Sequence, residues 1–273
     1  MSKFIYDEKI YLLNDTDALK HFNELKNRNQ IIYNNELLLY KDLLKEYNKV
    51  IDKTAYLLKS INLHTSIEYS IAIKYLIEKG YLSNNLQFKQ EEPQKELKSN
   101  YGINIISGKG ICRNYTDIHN DIMKVLNEYV KKFYCVNGIH MFKGRKHTAN
   151  HVLNLIKHND ILYGIDLYNA CKLYRFIDEF TLKEIAYNSN TKLHYKPYYE
   201  LITSNTDLED IKLNLRIFKE ESTKVYIKPL IYYDVLLSDT LTYLRKQNNL
   251  FMDLHNEIKQ EKENISLILK NKK

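Results

Sequence analysis

The sequence predicts an α+β fold in which helical patterns at both ends flank a central helix followed by strands. Three observations carry this. Tyr115, Ile118, Ile122, Leu126 and Tyr129 recur at steps of three and four, so 113–130 reads as a helix with one apolar face. The stretches 132–142, 150–157 and 161–167 are rich in Leu, Ile, Val and Tyr. His158-Asn159-Asp160, between the last two, carries turn chemistry and predicts a β-hairpin. Before this region, Leu37, Leu44, Tyr47, Ile51, Leu58 and Ile61 make the stripe of an amphipathic helix over 35–61. After it, 230–268 keeps a helical pattern that breaks near Gln247-Asn248-Asn249.

The remaining elements follow from local signals. Thr65-Ser66-Ile67-Glu68 is a capping box and Gly80 a helix stop, which predicts a helix over 66–79. From Gln87 to Asn100 the chain is polar and contains Pro93, so it reads as an exposed linker. A shorter helical pattern covers 207–219. The resulting organisation is a helical N-terminal region over 1–95, a helix-and-sheet core over 96–180 and a mainly helical C-terminal region over 181–273.

Composition sets the class. The chain has 273 residues, 44% hydrophobic and 27% charged, as expected of a soluble globular protein. No segment approaches the apolar length of a membrane span. Met1-Ser2-Lys3-Phe4-Ile5-Tyr6-Asp7-Glu8 has no signal-peptide apolar run, which predicts a cytoplasmic protein. Three cysteines without framework spacing predict free thiols in a reducing compartment. The net charge of +7 is mostly dispersed lysine, in a composition rich in Lys, Asn, Ile and Tyr. No arginine-rich or aromatic-interleaved basic patch appears, so no specific nucleic-acid partner is expected.

The residues with chemistry are Cys112, His151 and Asp166. Cys112 stands in Ser107-Gly108-Lys109-Gly110-Ile111-Cys112-Arg113-Asn114-Tyr115, after two glycines and at the start of the predicted helix. Unpaired N–H groups and the positive end of the helix dipole favour a thiolate there. His151 follows 39 residues later and Asp166 another 15. If Asn159-Asp160 is the hairpin loop, His158 faces Ile161 and Leu153 faces Asp166. His151, two residues from Leu153, then shares a sheet face with Asp166 as its diagonal neighbour. A thiol, an imidazole and a carboxylate so arranged can form a nucleophile, its base and the group that orients the base.

This arrangement resembles the transglutaminase-like cysteine enzymes, a branch of the papain-like fold. Gly110-Ile111-Cys112, Asn150-His151 and Tyr163-Gly164-Ile165-Asp166 match that family's three elements in order and spacing, over about residues 60–170. One departure is that Val152 and Leu153 stand where the family often carries an aromatic, commonly Trp, and the chain has no Trp. The resemblance implies a papain-like or transglutaminase-like core, with a thiol helix packed on an antiparallel sheet. It implies a catalytic trio of Cys112, His151 and Asp166, with a peptide or protein as substrate. It also implies acyl transfer or hydrolysis at amide bonds, by a protease, a deamidase or a transglutaminase.

Each residue has a plainer alternative. Cys112 alone would fit a core thiol, and Cys135 and Cys171 read as structural. His147, four residues upstream of His151, is the nearest rival base; His140 and His158 have less support, and His119 reads as surface or core. No cysteine pair joins His140, His147 and His151 at zinc-ligand spacing, so neither a metal nor another cofactor is expected. The alternative function is a catalytically inactive scaffold of the same core that binds a protein partner through its flanking helices.

Overall fold

The computed structural model describes residues 3–6, 9–12, 41–93, 100–142, 145–178, 181–185, 192–195 and 228–271. Its architecture is α+β: helices pack against a closed antiparallel barrel. A two-stranded hairpin, β1 (Lys3–Tyr6) and β2 (Lys9–Leu12), opens the chain within the stretch read from sequence as helical. Residues 41–60 form α1, and α2 spans Ser66–Glu78. The Thr65 hydroxyl oxygen accepts from the Glu68 amide at the start of α2, as the capping box predicts. Gly80, at φ +74°, ends the turn after the helix. A 3-10 helix covers Tyr101–Ser107, and α3 covers Cys112–Val125.

The barrel follows as β3 (Val130–Phe142), β4 (Arg145–His158), β5 (Ile161–Asp166), β6 (Lys172–Asp178), β7 (Thr181–Glu184) and β8 (Lys192–Tyr195). Each strand pairs antiparallel with the next, and β8 closes on β3 at Cys135 and Val136. The sheet therefore runs on past residue 180, where sequence alone expected helices to resume. His158 pairs with Ile161 and Asn154 with Ile165, which is the register the hairpin reading predicts. Asn159 and Asp160 both have positive φ, 50° and 62°, as a two-residue type I′ turn requires.

The C-terminal helices are α4 (Lys228–Lys246), α5 (Asn248–Glu257) and α6 (Lys259–Asn271). The helical region breaks at Gln247, as expected, and again at Ile258. The 207–219 pattern and the first residues of the 35–61 pattern lie outside the described residues.

Alternation along the strands sorts the side chains into two apolar clusters. Phe133, Leu153, Leu155, Leu162, Tyr174, Phe176 and Leu182 fill the barrel interior. Ile156, Ile165 and Leu173 point outward and join one continuous core with α1, α2, α3 and the C-terminal helices. That core includes Val50 and Leu58 of α1, Leu76 of α2, Ile118 and Ile122 of α3, and Leu244, Phe251 and Ile265 from the last three helices.

A buried polar chain locks α3 to this frame. Asn154, on the outer face of β4, donates through Nδ2 to the Thr116 carbonyl at 3.1 Å and to His119 Nδ1 at 2.6 Å. With Nδ1 accepting, the proton sits on Nε2, which donates to Ser70 Oγ at 2.8 Å. Ser70 in turn donates to the Ser66 carbonyl at 2.6 Å. His119, read from sequence as surface or core, is thus a fully buried pin between α2, α3 and β4. Burial lowers its pKa from 6.5 to about 3. The folded chain refuses a proton that the unfolded chain accepts below about pH 6.5, so stability must fall as pH falls from there. His119→Gln keeps an amide donor and acceptor but does not titrate. Its unfolding free energy, measured by denaturant titration between about pH 6 and 4, should lose a slope of about 1.4 kcal/mol per pH unit. An unchanged slope would show that another group carries the acid sensitivity.

Candidate functional site

The approach to Cys112 is built by glycine. Gly108 caps the 3-10 helix in the left-handed region, at φ +83°. At Gly110 a Cβ would lie 2.9 Å from Ile105 Cδ1 and 3.1 Å from Asn114 Cβ, so a side chain there would require its neighbours to shift. The segment around Lys89 pairs with this loop. The Lys89 amide donates to Gly108 O at 2.8 Å, and the Gly110 amide donates to Lys89 O at 3.2 Å. The stretch expected to be a linker is exposed at most positions from 87 to 92, yet its backbone is fastened beside the thiol. Residues 94–99 lie outside the described residues. At the start of α3, Asn114 Oδ1 accepts from the Ile111 amide at 2.9 Å. Cys112 is the first helical residue, so its own N–H has no intrahelical acceptor.

Cys112 is partly exposed, and its side chain is one of the groups that raise the pKa of His151. His151 Nε2–H donates to Asp166 Oδ2 at 2.5 Å. His151 is 8% exposed and Asp166 1%. Both belong to the inward-facing set of their strands, at the end of the barrel that α3 approaches. Burial opposes charge on the ring, but the hydrogen bond to Asp166 and the nearby Cys112 outweigh it, and the His151 pKa is pushed up to about 10. The ring therefore favours the imidazolium form at neutral pH.

Two residues that sequence reasoning missed complete the surroundings. Asn169 donates to Asp166 twice, from Nδ2 to Oδ2 at 2.7 Å and from its backbone N–H to Oδ1 at 3.2 Å. The only sequence signal for it is an Asx-type residue three places after the carboxylate, in a turn. Tyr168 stands with its ring centroid 6.5 Å from that of His151. It continues an aromatic row through Tyr115, 5.8 Å away, to Phe88, a further 5.6 Å. An aromatic beside the histidine thus comes from the β5–β6 turn rather than from the position after His151. Gln90 braces the row, donating to Tyr115 Oη at 3.3 Å and to Tyr168 O at 3.2 Å.

The rival histidines stand elsewhere. His140 and His147 pair with each other in the β3–β4 register, so His147 belongs to a strand and not to a loop. His158 ends β4 at the turn, seven residues beyond His151, and burial lowers its pKa. Cys135 faces His151 across the β3–β4 ladder, inside the barrel. Cys171 lies in the β5–β6 turn, where the Tyr233 hydroxyl of α4 donates to its carbonyl. Among the described residues, no group of three His, Cys, Asp or Glu side chains is placed to hold a metal ion. Nor is any described helix long and apolar enough to cross a membrane. Compared with known proteins, the chain matches no family model and no curated sequence.

All three cysteines are free, but only Cys112 is reachable. Cys135 and Cys171 are each 1% exposed, and burial pushes both thiols well above the ordinary range. Alkylation of the native protein near neutral pH, followed by peptide mass mapping, should modify Cys112 first and leave the other two intact until the chain unfolds. Labelling of Cys135 at a rate equal to that of Cys112 would contradict the packing described.

Proposed function

We propose that the protein is a thiol-dependent enzyme acting on amide bonds of a peptide or protein, with Cys112 as nucleophile, His151 as proton carrier and Asp166 as the group orienting the imidazole. The observation that carries this reading is His151 itself: one buried imidazole hydrogen-bonded to a carboxylate, with a helix-start thiol among the groups that raise its pKa. With Nε2 committed to Asp166, Nδ1 is the nitrogen left for the thiol. A thiolate beside an imidazolium is the reactive form of such a pair.

The chemistry then runs in two halves. The Cys112 sulfur attacks the amide carbonyl, and the carbonyl π electrons move to oxygen. The Cys112 N–H at the head of α3 receives that oxyanion, aided by the helix dipole. The imidazolium gives its proton to the departing amine as the C–N bond breaks, leaving a thioester and a neutral ring. Water or an amine then attacks the thioester, His151 takes up the incoming proton, and the thiolate leaves. Water acting on a peptide bond makes this a protease, water acting on a glutamine amide a deamidase, and an amine a transglutaminase. The likeness of the Gly110-Ile111-Cys112, His151 and Asp166 elements to transglutaminase-like enzymes, on an α+β frame with a helix against an antiparallel sheet, supports the same class.

Peptide hydrolysis, ammonia release from glutamine peptides and amine incorporation, assayed in parallel, test the proposal. Cys112→Ala should abolish whichever activity is found while shifting the melting temperature by a few degrees at most, because removing a partly exposed thiol leaves a small cavity. Asp166→Asn should lower kcat by roughly a hundredfold or more, since an amide can favour the wrong imidazole tautomer. Full activity in Cys112→Ala would end the enzyme reading. A protein partner that still binds both variants but is lost on truncation after about residue 230 would favour the scaffold.

A further inference from the structure

We infer that Asn169 is a positioning residue for the proposed reaction, clamping the Asp166 carboxylate in the orientation in which Oδ2 meets His151; the inference rests on the reading above. Asp166 is buried, and among the described residues three N–H groups bond its carboxylate: His151 Nε2 at 2.5 Å, Asn169 Nδ2 at 2.7 Å and Asn169 N at 3.2 Å. Two of the three come from one residue and grip different oxygens. A carboxylate held at both oxygens cannot rotate about its own bond, so Oδ2 stays aimed at the ring. Asn169 Nδ2 also lies 3.5 Å from His151 Nε2, which places Oδ2 between two donors.

The turn makes Asn169 a fixed point. β5 ends at Asp166 and β6 begins at Lys172. The Lys172 amide donates to Asn169 O at 3.0 Å and closes the loop. Ala170 and Cys171 both take left-handed backbone, at φ 55° and 56°, the φ signs of a type I′ turn. The Tyr233 hydroxyl, reaching in from α4, holds the Cys171 carbonyl. The chemistry of the clamp is specific to an amide. A carboxylate at 169 would set a second anion against Oδ2, and a methyl group would leave His151 as its only side-chain donor.

Among the described residues, the groups facing His151 include Asp166 from β5, Tyr168 and Asn169 from the β5–β6 turn, Cys112 from α3 and Cys135 across the β3 ladder. Loosening Asp166 removes support for the imidazolium. The ring is then no longer held in one orientation beside the Cys112 sulfur, and the thiol reacts more slowly. The consequence can be read without a known substrate. Iodoacetamide labelling of Cys112 is followed by mass spectrometry from about pH 5 to 10 in the full chain and in Asn169→Ala and Asn169→Asp, with melting temperatures measured alongside.

In Asn169→Ala the rate near neutral pH should fall roughly tenfold, and the pH profile should change as support for the His151 imidazolium weakens. Asn169→Asp should fall at least as far. Unchanged rates and profile in both variants overturn the inference while leaving the enzyme reading intact. Unfolding of both variants assigns Asn169 to the fold alone and also overturns it. Slow, uniform labelling of all three thiols in the unsubstituted chain overturns the enzyme reading, and this inference with it.

Discussion

The arrangement depends on how α3 is rotated and placed against β4, and that is decided by the buried contact between His119 and Asn154. Residues seven apart on a helix share a face. Cys112, His119 and, between them, Thr116 therefore lie along one side of α3. Thr116 donates to the Val152 carbonyl at 3.2 Å and its own carbonyl accepts from Asn154, so this side is fastened to β4 at two points one strand repeat apart. Apolar packing of Ile118 and Ile122 alone would allow α3 to slide or turn, since such contacts are not directional. Hydrogen bonds in a dry interior are directional, and an unmade one is penalised. His119 is kept neutral by the same burial, so the lock does not introduce an unpaired charge next to the barrel.

At the barrel end the logic of polar burial reverses. His151 is also buried, yet its hydrogen bond to Asp166 and the nearby Cys112 favour its charged form. Two buried histidines within one fold are thus driven in opposite directions, one to about 3 and one to about 10. Position relative to a carboxylate accounts for the difference. His119 sees only neutral groups, Ser70 and Asn154.

The flanking helices belong to this design through packing. The outer faces of β4, β5 and β6 share one core with α1, α2 and the last three helices. Tyr233 carries that connection to the β5–β6 turn, where the backbone is least relaxed and where Tyr168 and Asn169 stand. Lys53 of α1 reaches Glu261 of α6 at 3.0 Å, joining the first and last described helices across the same core. Tyr233 thus ties α4 to the turn that carries Tyr168 and Asn169.

What the sequence by itself determined was local. The 66–79 helix with its Thr65 cap, the helix starting at Cys112, the break at Gln247 and the Asn159-Asp160 turn are all governed by neighbours a few residues away, and their signals lie in the chain. The hairpin register follows from the turn, so the shared face of His151 and Asp166 was legible before any tertiary contact was known. Only the tertiary structure decided the rest. Closure of the sheet by β7 and β8 depends on pairing between segments far apart in sequence, and no local pattern records it. The role of His119 depends on Asn154 and Ser70, each over thirty residues away. Asn169 and Tyr168 stand in a turn whose Cys171 carbonyl is held by Tyr233, some sixty residues further on. Periodicity describes which face of an element is apolar; it carries no information about which distant side chain will meet that face.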